Sequence, residues 1–405
     1  MRSAWRRTAI VGLVGTALFV IAACGGSSKS SSESTTTTTS SSGTPTVGVD
    51  DLTADFSAMT KLKPLASQGK GMIGVLLPDT TTSTRYVQYD APNLTKAFEK
   101  AGLTSSQFKI DNAHGSTSTM QQQAEADITA GASVLLIDPL DPGSGAAIES
   151  KAESQGVKVI DYDRLVTGGP KDRYYVSFNN VQVGQLIGQG MVDCLSAWKV
   201  NKPQILVMSG AATDNNAKLF AQGYNGVLDP KFKDGTYTKV GAPAGTWDAP
   251  TAATTFEQQF TAHPNMNAVL MPNDDTNNAV VAVLQKDKIK PMTFPTTGQD
   301  AAPTGLQNIL LGYQCGTVYK PYFAEAQAAA ALALYLRAGK TPPSSLVNDT
   351  TKDSKLNADI KSVYTKPFWV TKENMNDTVI KDGTISASAL CTGKVANACK
   401  EAGIQ

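Results

Sequence analysis

The sequence predicts an α/β protein of two lobes, each a parallel sheet wrapped in helices. Three observations carry this. Short apolar runs recur between residues 72 and 271. Stretches with apolar residues at helical spacing separate them. The alternation runs about twice the length of one doubly wound sheet.

The runs are MIGVLL (72–77), SVLLI (133–137), VKVI (157–160), YYVSF (174–178), ILVM (205–208) and AVLM (268–271). Hydrophobicity that is continuous, not alternating, marks strands buried on both faces, as in a parallel sheet. Residues 86–101 and 117–130 show the helical spacing between them. No GxGxxG follows the first run, because GMIGVLLPD lacks the glycine turn, and this argues against a dinucleotide site.

Upstream, Arg2, Arg6 and Arg7 precede an apolar run over 8–23 that ends in IAAC. This is a signal-peptide layout, too short for a membrane-spanning helix. The IAAC stretch also resembles the lipobox of bacterial lipoproteins, which implies cleavage before Cys24 and a lipid on its sulfur. An ordinary secretory signal is the alternative. From residue 25 to about 46 the chain is nearly all Ser, Thr and Gly, a composition that buries no core and acts as a flexible tether.

The 405 residues suffice for two cores. The 36 basic and 35 acidic side chains form no basic run or stripe, which argues against a nucleic-acid role. Cys194, Cys315, Cys391 and Cys399 remain in the body, and export permits disulfides. Of the three possible pairings, the reading favours Cys391–Cys399, a short local loop, with Cys194–Cys315; buried free thiols are the alternative. No CxxC occurs and His114 and His263 are the only histidines, so no zinc or other metal site is expected. No cofactor is expected either.

In open α/β sheets ligands sit beyond the carboxyl ends of the strands. The first run ends in PDTTTSTRY, where Arg85 and Tyr86 open a helix. The next runs end in DPLDPGSG, DYDR, NN, SGAATDNN and PNDDTNN, followed later by TTGQDAA and CGTVYKPY. A single Asp or Asn at such a turn is ordinarily an N-cap, contributing about 1 kcal/mol. The set exceeds that need. Asp214-Asn215-Asn216 holds more donors and acceptors than one cap uses, and Arg164 and Lys320 add cations. Donors and acceptors in comparable number suit neutral polyols, whose hydroxyls both give and accept. A phosphate site would hold cations and backbone N–H groups without several carboxylates. Trp247, Tyr86 and Phe178 are candidates for the flat apolar face that a sugar ring needs.

VIDYDRLV, YYVSFNN, ATDNNAKLFAQG, PNDDTNNAV, TTGQDAAPTGLQ and GTVYKP resemble, in order and spacing, the periplasmic monosaccharide-binding proteins of ABC importers, above all their D-xylose-binding branch. The resemblance spans roughly residues 72–339. It implies two Rossmann-like lobes joined by a three-segment hinge, with sugar in the cleft. The implied sugar contacts are Arg85, Asp163, Arg164, Asp214, Asn216, Asn273, Asp300 and Lys320, with Trp247 stacked on the ring. Phe178, Asn179 and Asn180 fall at the first hinge crossing, where the family commonly has an Asp in place of Asn179. The first loop has different flanks and is about one residue longer, so Arg85 carries over less directly than the rest.

The expected division is a signal peptide at 1–23 and a lipidated cysteine with its tether at 24–65. An N-terminal lobe takes 66–179 and 321–348, a C-terminal lobe 180–320 and 349–385, and an extension 386–405. The implied role is a lipid-anchored, monomeric binder on the outer face of the membrane that captures a monosaccharide for ABC permease subunits. A sugar sensor serving a signalling receptor is the alternative. A glycoside hydrolase using Asp163 with Asp274 or Asp275 is the catalytic rival, although no GxSxG, HExxH or Walker sequence appears.

Overall fold

The computed structural model describes residues 43–404. The signal segment and Cys24 lie outside the described residues, as do the tether residues up to 42. Thirteen strands follow in chain order: β1 Met72–Leu77, β2 Phe108–Asn112, β3 Ala132–Ile137, β4 Lys158–Tyr162, β5 Tyr174–Phe178, β6 Gln204–Val207, β7 Thr238–Gly241, β8 Ala268–Leu270, β9 Gly298–Gln299, β10 Thr317–Tyr319, β11 Asp349–Asp353, β12 Ala358–Thr365 and β13 Phe368–Val370.

The first sheet has the order β2-β1-β3-β4-β5-β12-β11, parallel except for the β11–β12 hairpin. In the second lobe β7-β6-β8 and β9-β10-β13 form two ladders. A parallel bridge between Val269 and Thr296, just upstream of β9, joins them. Both lobes therefore repeat one doubly wound order, with the switch point beside β1 in the first and β6 in the second.

The apolar runs form strands because both faces of each are covered. Ile73, Val75 and Leu77 pack on one side with Leu94 and Phe98, while Leu76 points to the other with Met120 and Ile148. This is the period-two split of a strand. The helix Tyr322–Arg337 lies against the first sheet, and its alanine-rich stretch from Ala326 to Tyr335 is buried all round. A helix apolar on every side belongs inside a protein.

Three parts of the expected division need correction. Residues 47–65 are not tether: Val47, Phe56, Met59, Leu62 and Leu65 join the first-lobe core. The Gln327 side-chain amide also donates to the Thr53 carbonyl at 2.9 Å. The segments are too short for a periodic signal, and only the tertiary partner makes them helical. Residues 349–365 belong to the first sheet and not the second lobe, since β12 pairs in parallel with β5. The last segment is no appendage, because Leu390, Val395, Cys399 and Ile404 pack on Leu306, Ile309 and Tyr319 in the second lobe. The chain crosses between lobes at Phe178–Asn180, between β10 and the helix Tyr322–Arg337, and between β12 and β13.

Cys194 is bonded to Cys315 and Cys391 to Cys399. The first bridge spans 121 residues and the second 8. A long closed loop costs the unfolded chain more entropy, so replacing both Cys194 and Cys315 by Ala is expected to lower stability by about 2–4 kcal/mol. Urea denaturation under oxidising conditions checks this, and an unchanged midpoint would refute it.

Candidate functional site

The carboxyl ends of the strands from both lobes face one another across a narrow cavity. Arg85, Tyr86, Asp163, Arg164, Asp214, Asn216, Trp247, Asn273, Asp300 and Lys320 all line it. So do Thr82, Ser83, Phe220 and Gln299, which the sequence reading did not single out. Thr82 and Ser83 share the loop that leads to Arg85. Phe220 is one helical turn past Asn216, a spacing that could have found it. Gln299 sits beside Asp300. Phe178 does not line the cavity. Its ring is buried in the second-lobe core with the Lys320 ammonium 5.7 Å from its centroid, so it supports the site from behind.

Asp214, the first residue of the DNN turn, makes two contacts. One oxygen caps the helix Asn215–Lys233 by accepting the Asn216 N–H at 2.8 Å. The other accepts the Trp247 indole N–H at 3.0 Å. Trp247 thus has its orientation set by the capping residue. Its ring meets Phe220 edge-on and lies so close to Gly210 that a Cβ there would sit 2.0 Å from it. Asn216 spends its amide on closure: it donates to the Asp163 carbonyl at 2.9 Å and accepts from Asn180 at 2.9 Å. Asn180, at the first crossing, is therefore wired to the cleft. Its neighbour Asn179 caps the helix that follows by accepting the Gln182 N–H at 3.0 Å.

On the first lobe, Arg85 is held on every side. Asp90 takes it bidentately at 2.7 and 2.8 Å, Glu325 at 2.5 Å and Asp163 at 2.9 Å, and its guanidinium lies over the Tyr322 ring. With most of its donors taken, Arg85 chiefly orients Asp163. Arg164 donates to the Tyr86 hydroxyl at 2.8 Å and lies 3.5 Å from Asp214 across the cleft. Lys320 pairs with Asp300 at 2.9 Å. Asn273 caps the helix Asp274–Lys286 through its side-chain oxygen, which leaves its NH₂ to face the cavity.

Asp163 and Asp300 both have positive φ, 56° and 91°, as does Ala301 at 50°. Such backbone persists where surrounding bonds over-determine it, and it clusters at binding sites. Here Tyr175 and Ser177 donate to the Asp163 carbonyl, and Tyr322 donates to that of Asp300.

The charges set what fits. Buried around the cavity are the cations Arg85, Arg164 and Lys320 and the acids Asp90, Asp138, Asp163, Asp214, Asp300 and Glu325. Burial works against the charge of Asp163, but Arg85, Lys320 and Arg164 outweigh it and hold the carboxyl below its usual range. Burial raises Asp214, with Arg164 opposing. It pushes Glu325 to about 8 despite Arg85. The lining itself sets three cations, Arg85, Arg164 and Lys320, against three acids, Asp163, Asp214 and Asp300, a balance that suits a neutral ligand rich in hydroxyls. Asp274 and Asp275, cast earlier as partners of Asp163 in hydrolysis, do not line it. Asp274 is used up by the Ala302 N–H, Gln314 and Thr317.

Two doubly wound lobes that meet on a polar cavity, crossed by three strands of chain, define a clamshell solute-binding protein. Residues 73–341 match the periplasmic binding protein domain family, and the chain belongs to that family. It is 33% identical to the D-xylose-binding periplasmic protein of Escherichia coli, over 72% of this chain and 86% of that protein. It is 29% identical to the multiple sugar-binding periplasmic receptor ChvE of Rhizobium radiobacter, over 81% and 94%. A carbohydrate transporter solute-binding protein from Chloroflexus aurantiacus, solved with D-glucose, superposes with a TM-score of 0.70 at 29% identity, covering 78% of this chain and 97% of that one.

Proposed function

We propose that this protein captures a neutral monosaccharide, D-xylose or a related aldose, outside the cytoplasm and delivers it to an ABC permease. The observation that carries the reading is the cavity itself. Acceptors, donors and one oriented indole converge on it from both lobes. Sugar bridging the lobes favours the closed form by its differential affinity for it. Hydrogen bonds to charged groups contribute about 1.5–3 kcal/mol each, much of it offset by desolvation, so a micromolar or tighter Kd follows. The relatives that bind xylose and the neighbour solved with glucose both support an aldose, and the pentose is the preferred member because of the Escherichia coli likeness.

The test is a thermal-shift panel of xylose, arabinose, ribose, glucose, galactose and inositol at millimolar concentration. A ligand at a thousandfold excess over Kd stabilises the native state by about 4 kcal/mol. A rise with xylose supports the reading in full. A rise with another sugar keeps the class and moves the specificity. No rise with any of them refutes sugar capture.

The reading includes a lipid on Cys24, which would hold the binder near its permease and raise the effective concentration there. Cys24→Ser protein is expected to leave the membrane fraction after export; continued partitioning with membranes would overturn the anchor.

A further inference from the structure

The PNDDTNN turn holds three acidic or amide side chains in a row, and each is put to a different use. Asn273 lines the cavity and caps its helix. Asp274 is buried beneath, tied to the Ala302 N–H and Thr317. Asp275 does neither. Its carboxylate accepts the backbone N–H of Thr84 at 3.0 Å, a contact 191 positions away in the chain. Thr84 belongs to the first lobe and Asp275 to the second, so the bond crosses the mouth of the cleft.

The partner is well chosen physically. The Gln88 N–H bonds the Thr84 carbonyl, so Thr84 stands at the start of the helix that carries Arg85 and Tyr86. Its own N–H is one of the donors a helix start leaves unmet. Asp275 meets it from the other lobe while also lying in the first turn of its own helix, where negative charge is favoured. The loop held in this way is stiff. Asp79 accepts the N–H groups of Thr81 and Thr82 and the Thr82 hydroxyl. Pulling on Thr84 therefore brings Thr82, Ser83 and Arg85 to the cavity as one piece.

We propose that Asp275 is a positioning residue for capture: it latches the loop 79–85 to the second lobe when the cleft shuts, without touching the bound molecule. The latch exists only in the closed form, so it adds to closure and slows release. The groups facing Asp275 are Asp300 from the loop after β9, its neighbour Asp274, and Tyr89 from the first lobe. Arg85 turns away to Asp90, Asp163 and Glu325. Burial, with the Asp300 charge, raises the Asp275 carboxyl to about 6 in the closed form, against the Thr84 N–H, which favours the ionised form. An open cleft would return it to the ordinary carboxylate range near 3.9. The closed form then binds the proton more tightly, so closure is favoured as pH falls through about 6 and weakened as pH rises above it. From pH 7 to pH 5 this one group should tighten capture up to about tenfold.

The affinity arm rests on the sugar-capture reading and uses the full chain with D-xylose at pH 5 and pH 7. Asp275→Asn keeps an oxygen for the Thr84 N–H but does not titrate. Asp275→Ala removes the latch. Expected is a wild-type gain in affinity on acidification that exceeds that of Asp275→Asn by up to about tenfold. At pH 5, Asp275→Ala should bind about tenfold more weakly than Asp275→Asn, through faster dissociation. Equal Kd values and dissociation rates for all three proteins at both pH values would overturn the latch. A sugar-free arm judges it even if xylose fails to bind. By small-angle scattering at pH 7, Asp275→Asn should be more compact than Asp275→Ala, and the wild type should approach Asp275→Asn as pH falls to 5. Identical radii of gyration throughout would likewise sink it.

Discussion

Trp247→Ala is expected to weaken monosaccharide binding by at least about thirtyfold, the largest effect of any single change that leaves the ion network intact. Buried aromatic anchors dominate binding energies, and truncating one commonly costs 2 kcal/mol or more. Trp247 combines two roles. Its ring, 9% exposed, gives the cavity its apolar wall, and its N–H occupies Asp214. Without the indole, Asp214 loses a partner in a site where burial already opposes its charge. Trp247→Phe separates the roles, because it keeps an apolar face and drops the donor; an intermediate loss is expected. Titration calorimetry with xylose, alongside circular dichroism to confirm folding, measures both. Undiminished affinity in the Ala variant would remove Trp247 from the site.

Arg85→Ala is expected to cost about 3–5 kcal/mol of stability at pH 7, because it strands buried carboxylates that lose their common partner. Arg85 is 1% exposed, and Asp90, Asp163 and Glu325 each lie within 2.9 Å of its nitrogens. The pH dependence has a definite sign. Burial works to raise Asp163, but Arg85, with Lys320 and Arg164, holds it below the usual carboxylate range, so losing that cation raises this carboxyl. A carboxyl raised in the folded state favours folding at low pH and loses that contribution as pH climbs through its folded value. The deficit of Arg85→Ala should therefore be smaller at pH 5 than at pH 7. Urea denaturation at the two pH values tests this. A loss under about 1 kcal/mol at pH 7, or a deficit that grows on acidification, would show that the cluster is not organised around the guanidinium.

The two variants also separate the lobes' contributions. Trp247 belongs to the second lobe and acts on the ligand. Arg85 belongs to the first and acts through Asp163, so its loss should appear in stability before it appears in specificity.

Much of this was legible in the sequence, for a local reason. Continuous apolar runs such as MIGVLL and SVLLI can be buried on both faces only in a covered parallel sheet, and the strand-end rule then points to the residues after each run. The ten residues read from those turns and from the resemblance line one cavity. The role of each was less legible, because a role depends on who arrives from the other side. Nothing in ATDNNAKLF says that Asn216 will spend its amide on Asp163 and Asn180, or that Asp214 will hold an indole 33 positions on. Nor does PDTTTSTRY say that Arg85 will be surrounded by acids from three separate segments.

The α/β class, the repetition into two lobes and the line of polar turns are written locally in the chain, because hydrophobic periodicity and turn chemistry act over a few neighbours. Long-range packing makes residues 47–65 core, lets β11 and β12 complete the first sheet, and seats residues 386–404 on the second lobe. It also brings Asp275 to Thr84. Each of those rests on burial or a hydrogen bond between segments far apart in the chain. Such segments have no meaning for one another until the fold brings them together.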